Sequence, residues 1–308
     1  MKLFEIKDVD AHYIVYILQR PILKIRHKIR NFDARRVEAF GLNTEPREQN
    51  IIVSLTSFPA RIKKVHFVIE NLLTQTIKPD KLILWLSDSE FPNREKDLPE
   101  SLLRLREFGL TISWCEYMRS FQKLIPTLRE YSNDIIITLD DDFYYPQNII
   151  EDLYSAYLKN PSYIYANRTW RGYIKNSEFN MVSTNTMFTT KFPEPSYYNL
   201  LMGYGGVLYP PHCLDPEVLN IQKFREIIPT HDDVWFWAMS VLGKTKTCQV
   251  RGYDLSICTI EDTQQFGLCN INKPNSEGID AAVGINKLIC EYPKLLDILK
   301  EEENEWQK

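Results

Sequence analysis

An α/β fold, with a mostly parallel sheet and helices on both of its faces, is what the first half of this sequence predicts. Three observations predict it. Strand-length apolar runs alternate with segments of helical periodicity. The runs are nearly continuous in hydrophobicity, as strands buried on both faces are. Polar clusters, Thr56-Ser57, Ser87-Asp88 and Asp140 to Asp142, fall just past three of the runs, at the carboxyl ends where such sheets take their ligands.

The elements follow in order. Residues 1–49 form a polar, basic lead-in. From His12 to Arg36, Arg20, Lys24, Arg26, Lys28, Arg30, Arg35 and Arg36 face only Asp33, and seven less one leaves +6. The apolar run Tyr13 to Leu18 within it is far shorter than the roughly 20 residues of a membrane span. The basic residues follow that run, the reverse of a signal peptide. Two expectations stand here: a solvated helix packed on the body of the protein, or a basic amphipathic helix making peripheral contact with anionic lipid over residues 12–36.

Ile51 to Thr56 is the first strong strand signal, stopped by Ser57-Phe58-Pro59. Ile62, Val65, Ile69 and Leu72 then recur at helical steps. Lys81 to Leu86 reads as a second strand, and Pro99 to Phe108 as a helix with proline in its first turn and Gly109 to end it. Leu110 to Glu116 makes a third strand, Ser120 to Tyr131 a helix kinked at Pro126, and Asp134 to Leu139 a fourth strand running into the three aspartates. Pro146 opens a helix to about Leu158. Beyond Arg168 the rhythm weakens, with five prolines between 193 and 216 and the turn Gly203-Tyr204-Gly205-Gly206. Helices return at Asp232 to Leu242, closed by Gly243, at about 278–290, and in the charged tail.

Composition bounds the function. Of 308 residues, 44% are hydrophobic and 25% charged, which is ordinary for a globular chain. A formal charge of −4 argues against a nucleic-acid binder. Aromatic residues reach 12%, and rings with a polar tip suit sugar or nucleobase contact as well as a core. The six cysteines show no CxxC pair, which excludes zinc ribbons and thioredoxin-type motifs and leaves mostly reduced, buried thiols of a cytoplasmic protein.

Asp140-Asp141-Asp142 carries the sharpest chemistry. Three adjacent carboxylates repel unless a cation compensates, and alternation along an extended chain would turn Asp140 and Asp142 to one side. Hard oxygen donors favour Mg²⁺ or Mn²⁺; the plain alternative is an exposed acidic turn. Asp232 and Asp233 open an apolar helix. Asp233 at the ligand cleft would be a general base, while its capping-box spacing from Thr230 offers a structural job. Trp235 and Trp237 on the same helix suit an acceptor groove or the core. Lys123 and Arg61 stand where a cation would meet a phosphate, or are solvated. His212 and His231 neighbour the suspected site without a metal-ligand partner at a diagnostic spacing.

Together, Val53-Ser-Leu-Thr-Ser-Phe-Pro-Ala-Arg61, Lys123-Leu-Ile-Pro126, Asp140-Asp-Asp-Phe-Tyr-Tyr-Pro146, Gly203-Tyr-Gly-Gly-Val207 and His231-Asp-Asp-Val-Trp235 make the chain resemble GT-A nucleotide-sugar-dependent glycosyltransferases. Within them it resembles the bacterial capsule and surface-polysaccharide enzymes. The resemblance covers about Ile51 to Leu242. It implies a nucleotide-sugar-binding half at 50–170 and an acceptor half with C-terminal helices at 171–308. It also implies that Thr56, Ser57 and Asp88 hold the nucleoside and that Asp140 and Asp142 are a DxD motif on Mn²⁺ or Mg²⁺, Asp142 the direct ligand; Arg61, Lys123, Asp140 and Asp141 complete the expected donor contacts. Asp233 becomes the base of an inverting transfer and Asp232 its acidic neighbour. The commonest family version has Glu-Asp there and a basic motif further along the helix, which this sequence lacks. A nucleotide sugar (a UDP-sugar favoured) as donor, a glycan or lipid-linked glycan as acceptor, and a cytoplasmic site at the inner membrane face complete the expectation. A DxD phosphatase, a nucleotidyltransferase and a non-catalytic carbohydrate-binding protein are the rivals.

Overall fold

The computed structural model describes residues 4–9, 12–17, 20–26, 40–182, 194–250, 257–270, 272 and 280–306. The lead-in departs from expectation. Strands β1 (Phe4–Val9), β2 (His12–Ile17) and β3 (Arg20–Arg26) pair as an antiparallel meander in place of a helix. The reason is in the residues: Tyr13-Ile-Val-Tyr-Ile17 is β-branched and aromatic, and Pro21 would break a helix interior. Residues 27–36 of the basic stretch lie outside the described ones.

The centre is a seven-stranded sheet. Its members are β4 (Ile51–Thr56), β5 (Lys81–Ser87), β6 (Leu110–Cys115), β7 (Ile135–Thr138), β9 (Ile164–Ala166), β13 (Val207–Tyr209) and β14 (Thr247–Gln249), in the order β14-β9-β13-β7-β4-β5-β6. All run parallel except β13, which pairs antiparallel with β7 and β9. The expected α/β class therefore holds. The loop-rich second half still supplies β13 and β14, so the sheet draws strands from both sides of residue 170. From β4 the chain moves outward to β5 and β6, then returns to place β7 on the other flank. The crevice between the carboxyl ends of β4 and β7 is thus the switch point, where open α/β sheets bind ligands.

Alternation along β4 divides the core. Ile51, Val53 and Leu55 share one core layer with residues of α1 (Val65–Leu72), the short helix α2 (Glu100–Leu103) and α4 (Ile149–Lys159). Ile52 faces the opposite layer, which holds residues of α3 (Ile125–Glu130) and α5 (Ile221–Ile227). The same layer contains α6 (Asp232–Leu242), α7 (Ala281–Glu291) and α8 (Lys294–Trp306). Pro126 lies in the first turn of α3 instead of kinking a longer helix, because a missing N–H costs nothing there. Gly109, at φ 106°, ends the Pro99–Phe108 segment as expected. A smaller sheet of β10 (Thr169–Lys175), β11 (Glu178–Met181) and β12 (Asn199–Leu201) abuts α6 and α7. Among the described residues no helix is long and apolar enough to cross a membrane.

Five cysteines with described side chains are free thiols, but only Cys213 is buried; Cys115, Cys248 and Cys258 are half-buried and Cys290 is exposed. The expectation of buried thiols is corrected. Helix α7 has room for Leu288 and Ile289 on its inner face, and Cys290 falls on the outer one.

Candidate active site

The switch-point crevice gathers Ser57, Arg61, Lys123, Asp140, Asp141, Asp142, Asp232 and Asp233 of the polar residues the sequence singled out. Strand β7 ends at Thr138, and Asp141 and Asp142 sit in a turn before β8 (Phe143–Tyr144). The extended alternation expected of the three aspartates is therefore broken. Asp141 and Asp142 share Arg61, whose guanidinium lies 2.7 Å from Asp141 Oδ1 and 2.8 Å from Asp142 Oδ2. Ser57 Oγ donates to Asp141, and Gln264 Nε2 donates to Asp142 at 2.8 Å. Arg61 also donates to the Thr263 carbonyl, so the segment around β15 (Cys258–Thr259) closes over this corner. Asp140 turns the other way, to Lys123 Nζ at 2.8 Å.

Lys123 is almost wholly buried. It meets Asp232 Oδ2 at 2.9 Å and stands 4.0 Å from Asp233 Oδ1. Burial disfavours its charge, but Asp140, Asp232 and Asp233 overcome that and hold its pKa well above the ordinary lysine value. The two acidic residues that open α6 are treated differently. Burial raises Asp232, yet Lys123 and a 2.6 Å hydrogen bond from Ser120 Oγ bring it below the usual carboxylate value. Burial, and then the charge of Asp232, push Asp233 up to about 7. The N-cap of α6 is His231, so Thr230 and Asp233 are one residue out of capping-box register. Asp233 Oδ2 instead accepts from the Gly203 N–H at 2.9 Å, which sets aside the capping-box role.

Five carboxylates (Asp140, Asp141, Asp142, Asp232, Asp233) face two cations, Arg61 and Lys123. Asp142 shows the shortfall most clearly: burial and then Asp141 push it up to about 7, and its buried Oδ1 has no hydrogen-bond partner among the described residues. No three acidic, histidine or cysteine side chains form a ready-made metal cage among those residues. One or two carboxylates, with phosphate oxygens and water for the rest, is the usual provision for Mg²⁺ and its like. The donor set and the orphaned oxygen at Asp142 fit such an ion.

The other expected residues are placed as follows. Thr56 Oγ1 donates to the Trp85 carbonyl and accepts from Gln122 Nε2, so its hydroxyl is engaged within the fold. Asp88, just past β5, pairs with Arg94 at 2.8 Å in solvent. His212 bonds Asn133, while His231 and Asp233 line a small cleft with Trp170, Met202 and apolar neighbours. Trp235 and Trp237 are core, their indole N–H groups donating to the Val218 and Tyr197 carbonyls. Sequence reasoning missed Ser120 and Gln264. Neither carries a motif, and both are recruited only by the chain's return to the site.

No protein-family model matches the chain, and no curated protein sequence does. Among solved structures, it is similar to Staphylococcus aureus TarS residues 1–349 at 12% identity and TM-score 0.46, over 80% of this chain and 73% of that one. It is similar to GalNAc-T7 with UDP, GalNAc and Mn²⁺ at 11% identity and TM-score 0.43, over 71% of this chain and 47% of that one. A cytidylyltransferase from Leptospira borgpetersenii gives 12% identity and TM-score 0.41, over 80% and 95%. At TM-scores below 0.5, these likenesses say nothing of the chain's chemistry.

Proposed function

We propose that this chain is a GT-A glycosyltransferase that moves a sugar from a nucleotide-diphosphate donor to a hydroxyl of a glycan or lipid-linked glycan, with a divalent cation and with inversion. One observation carries the reading: at the switch point of the sheet, an under-compensated carboxylate cluster adjoins a separate carboxylate, Asp233, poised near neutrality. A donor diphosphate needs the first feature and an acceptor hydroxyl needs the second.

Asp140 and Asp142 would hold Mn²⁺ or Mg²⁺, which when bound supplies positive charge against the charge building on a leaving diphosphate. The remaining roles belong to the chain. Asp233 takes the acceptor proton, and a base with its pKa near the working pH does so best. Its Oδ1 is sealed against Lys123 and Gly203. The proton therefore goes to Oδ2, which keeps a lone pair beyond the one that accepts from Gly203 N–H. Asp232, fixed by Ser120 and Lys123, stays ionised and keeps Asp233 basic. Trp170, in the cleft beside Asp233, offers a ring face to the acceptor. A UDP-sugar donor and a cytoplasmic site, with peripheral membrane contact through residues 12–36, belong to the same reading.

A thermal-shift panel of UDP-, GDP-, CMP- and dTDP-sugars with and without Mn²⁺ tests it. Stabilisation by one nucleotide family, and only with the metal, is the expected result. Stabilisation by none, or hydrolysis of an aryl phosphate without any nucleotide, refutes it.

A further inference from the structure

Lys123 joins two parts of the site that come from distant stretches of chain. Asp140, beyond β7, and Asp232, at the start of α6, hold its ammonium at 2.8 and 2.9 Å, while Asp233 Oδ1 stands at 4.0 Å. An ammonium has three donors, and 4.0 Å is outside hydrogen-bond range. Two carboxylates are thus engaged and the third is only near. Asp233 Oδ1 is buried and has no hydrogen-bond partner among the described residues.

Gly203 closes the space beside this gap. A Cβ there would lie 2.6 Å from Lys123 Nζ and 2.7 Å from Asp233 Oδ1, so only glycine leaves the two atoms free to approach. The lysine backbone is fixed from below: its carbonyl accepts from Ser54 Oγ at 2.6 Å, Ser54 bonds Thr127 at 2.8 Å, and Trp85 Nε1 donates to Thr127 at 2.7 Å. What can move is the end of the side chain, and roughly 1 Å of travel would bring Nζ within hydrogen-bond distance of Asp233.

Resting on the reading above, we infer that Lys123 is a positioning residue that passes from Asp140 to Asp233 when a divalent cation takes Asp140, so that cation binding and the acceptor-side carboxylate are linked through it. A carboxylate drawn to a cation gives up its ammonium partner. The freed donor then has Asp233 Oδ1 within reach, a buried carboxylate oxygen that it does not yet touch. Such linkage is reciprocal: removing the destination weakens the cation's hold on Asp140, although residue 233 does not touch the cation.

The test is Mn²⁺ affinity, read by electron paramagnetic resonance of the free ion. Asp233→Asn should weaken binding about tenfold in the otherwise native chain. In a Lys123→Met background the same change should alter affinity by less than about twofold. Should Lys123→Met not fold, Gly203→Ala serves as the background with the same expectation, since it keeps every charge and puts a methyl group between Nζ and Oδ1. An effect of equal size in both backgrounds would mean through-space charge and overturn the inference, as would no effect in the native chain. A native chain that takes up no Mn²⁺ removes this inference together with the metal-dependent reading. Uptake without the coupling removes this inference alone.

Discussion

Replacing Asp233 by Asn should make the protein more stable and nearly inactive. The group is raised from 3.8 to about 7, which corresponds to an upper bound of about 4 kcal/mol. With its side chain about one-fifth exposed, roughly 2 kcal/mol is the working figure. The sign follows from proton counts. Between about pH 4 and 7 the folded chain holds this proton and the unfolded chain has lost it, so stability falls as pH rises through that window. The penalty is absent below about pH 4 and complete above about pH 7. The asparagine amide can still accept from Gly203 N–H, so the substitution removes a charge and little else. Scanning calorimetry without metal should therefore show a melting temperature about 4 °C higher than native at pH 8 and unchanged at pH 4. In parallel, turnover should fall by about 10²–10⁴, while Mn²⁺ binding survives in weakened form. Asp233→Asn protein that melts lower than native at pH 8 would refute the charge argument. One that turns over normally would refute the base.

Other expectations are independent of that one. Asp142→Ala should abolish Mn²⁺-dependent stabilisation by the nucleotide sugar in the thermal-shift panel, since it removes the carboxylate with the orphaned oxygen; retained stabilisation would move the metal elsewhere. Gly172→Ala should cost about 1–3 kcal/mol in urea unfolding, because a Cβ there would fall 1.8 Å from Phe179 Cζ in a ring packed on Trp237 and Tyr198. Glu302 is buried between Lys246, Ser196 and the Tyr197 N–H. Glu302→Ala should therefore destabilise by about 3 kcal/mol or more, the cost of leaving Lys246 and two donors without their partner; a chemical-denaturation midpoint equal to native would contradict it.

Much of the sheet was legible because its strands are buried on both faces. Ile51-Ile-Val, Leu82-Ile-Leu and Ile135-Ile-Ile have no competing helical reading of that length. Strands β13 and β14 were not legible. Each is three residues long and is made a strand by neighbours contributed from elsewhere in the chain, which is tertiary context and leaves no local period. The lead-in failed for another reason: its charge excess suggested a helix, while its β-branched residues and Pro21 spoke for strands. Asp140, Asp142, Asp232 and Asp233 stood out because carboxylates next to apolar runs have no packing role. Their partition could not be read, since it depends on which cation each one meets in three dimensions.

That partition explains why a protein would keep so costly a cluster. Arg61 and Lys123 each hold two carboxylates closely, yet Asp142 Oδ1 and Asp233 Oδ1 remain buried without hydrogen-bond partners among the described residues. A site selected for stability would have satisfied both, because a buried polar atom left without a partner costs about 1–3 kcal/mol. Here one shortfall lies just past the carboxyl end of β7 and the other at the start of α6. A cation with its diphosphate would relieve the first, and the proton of an incoming hydroxyl would relieve the second. Under the proposed transfer, each deficit would be relieved by one of the two bound partners.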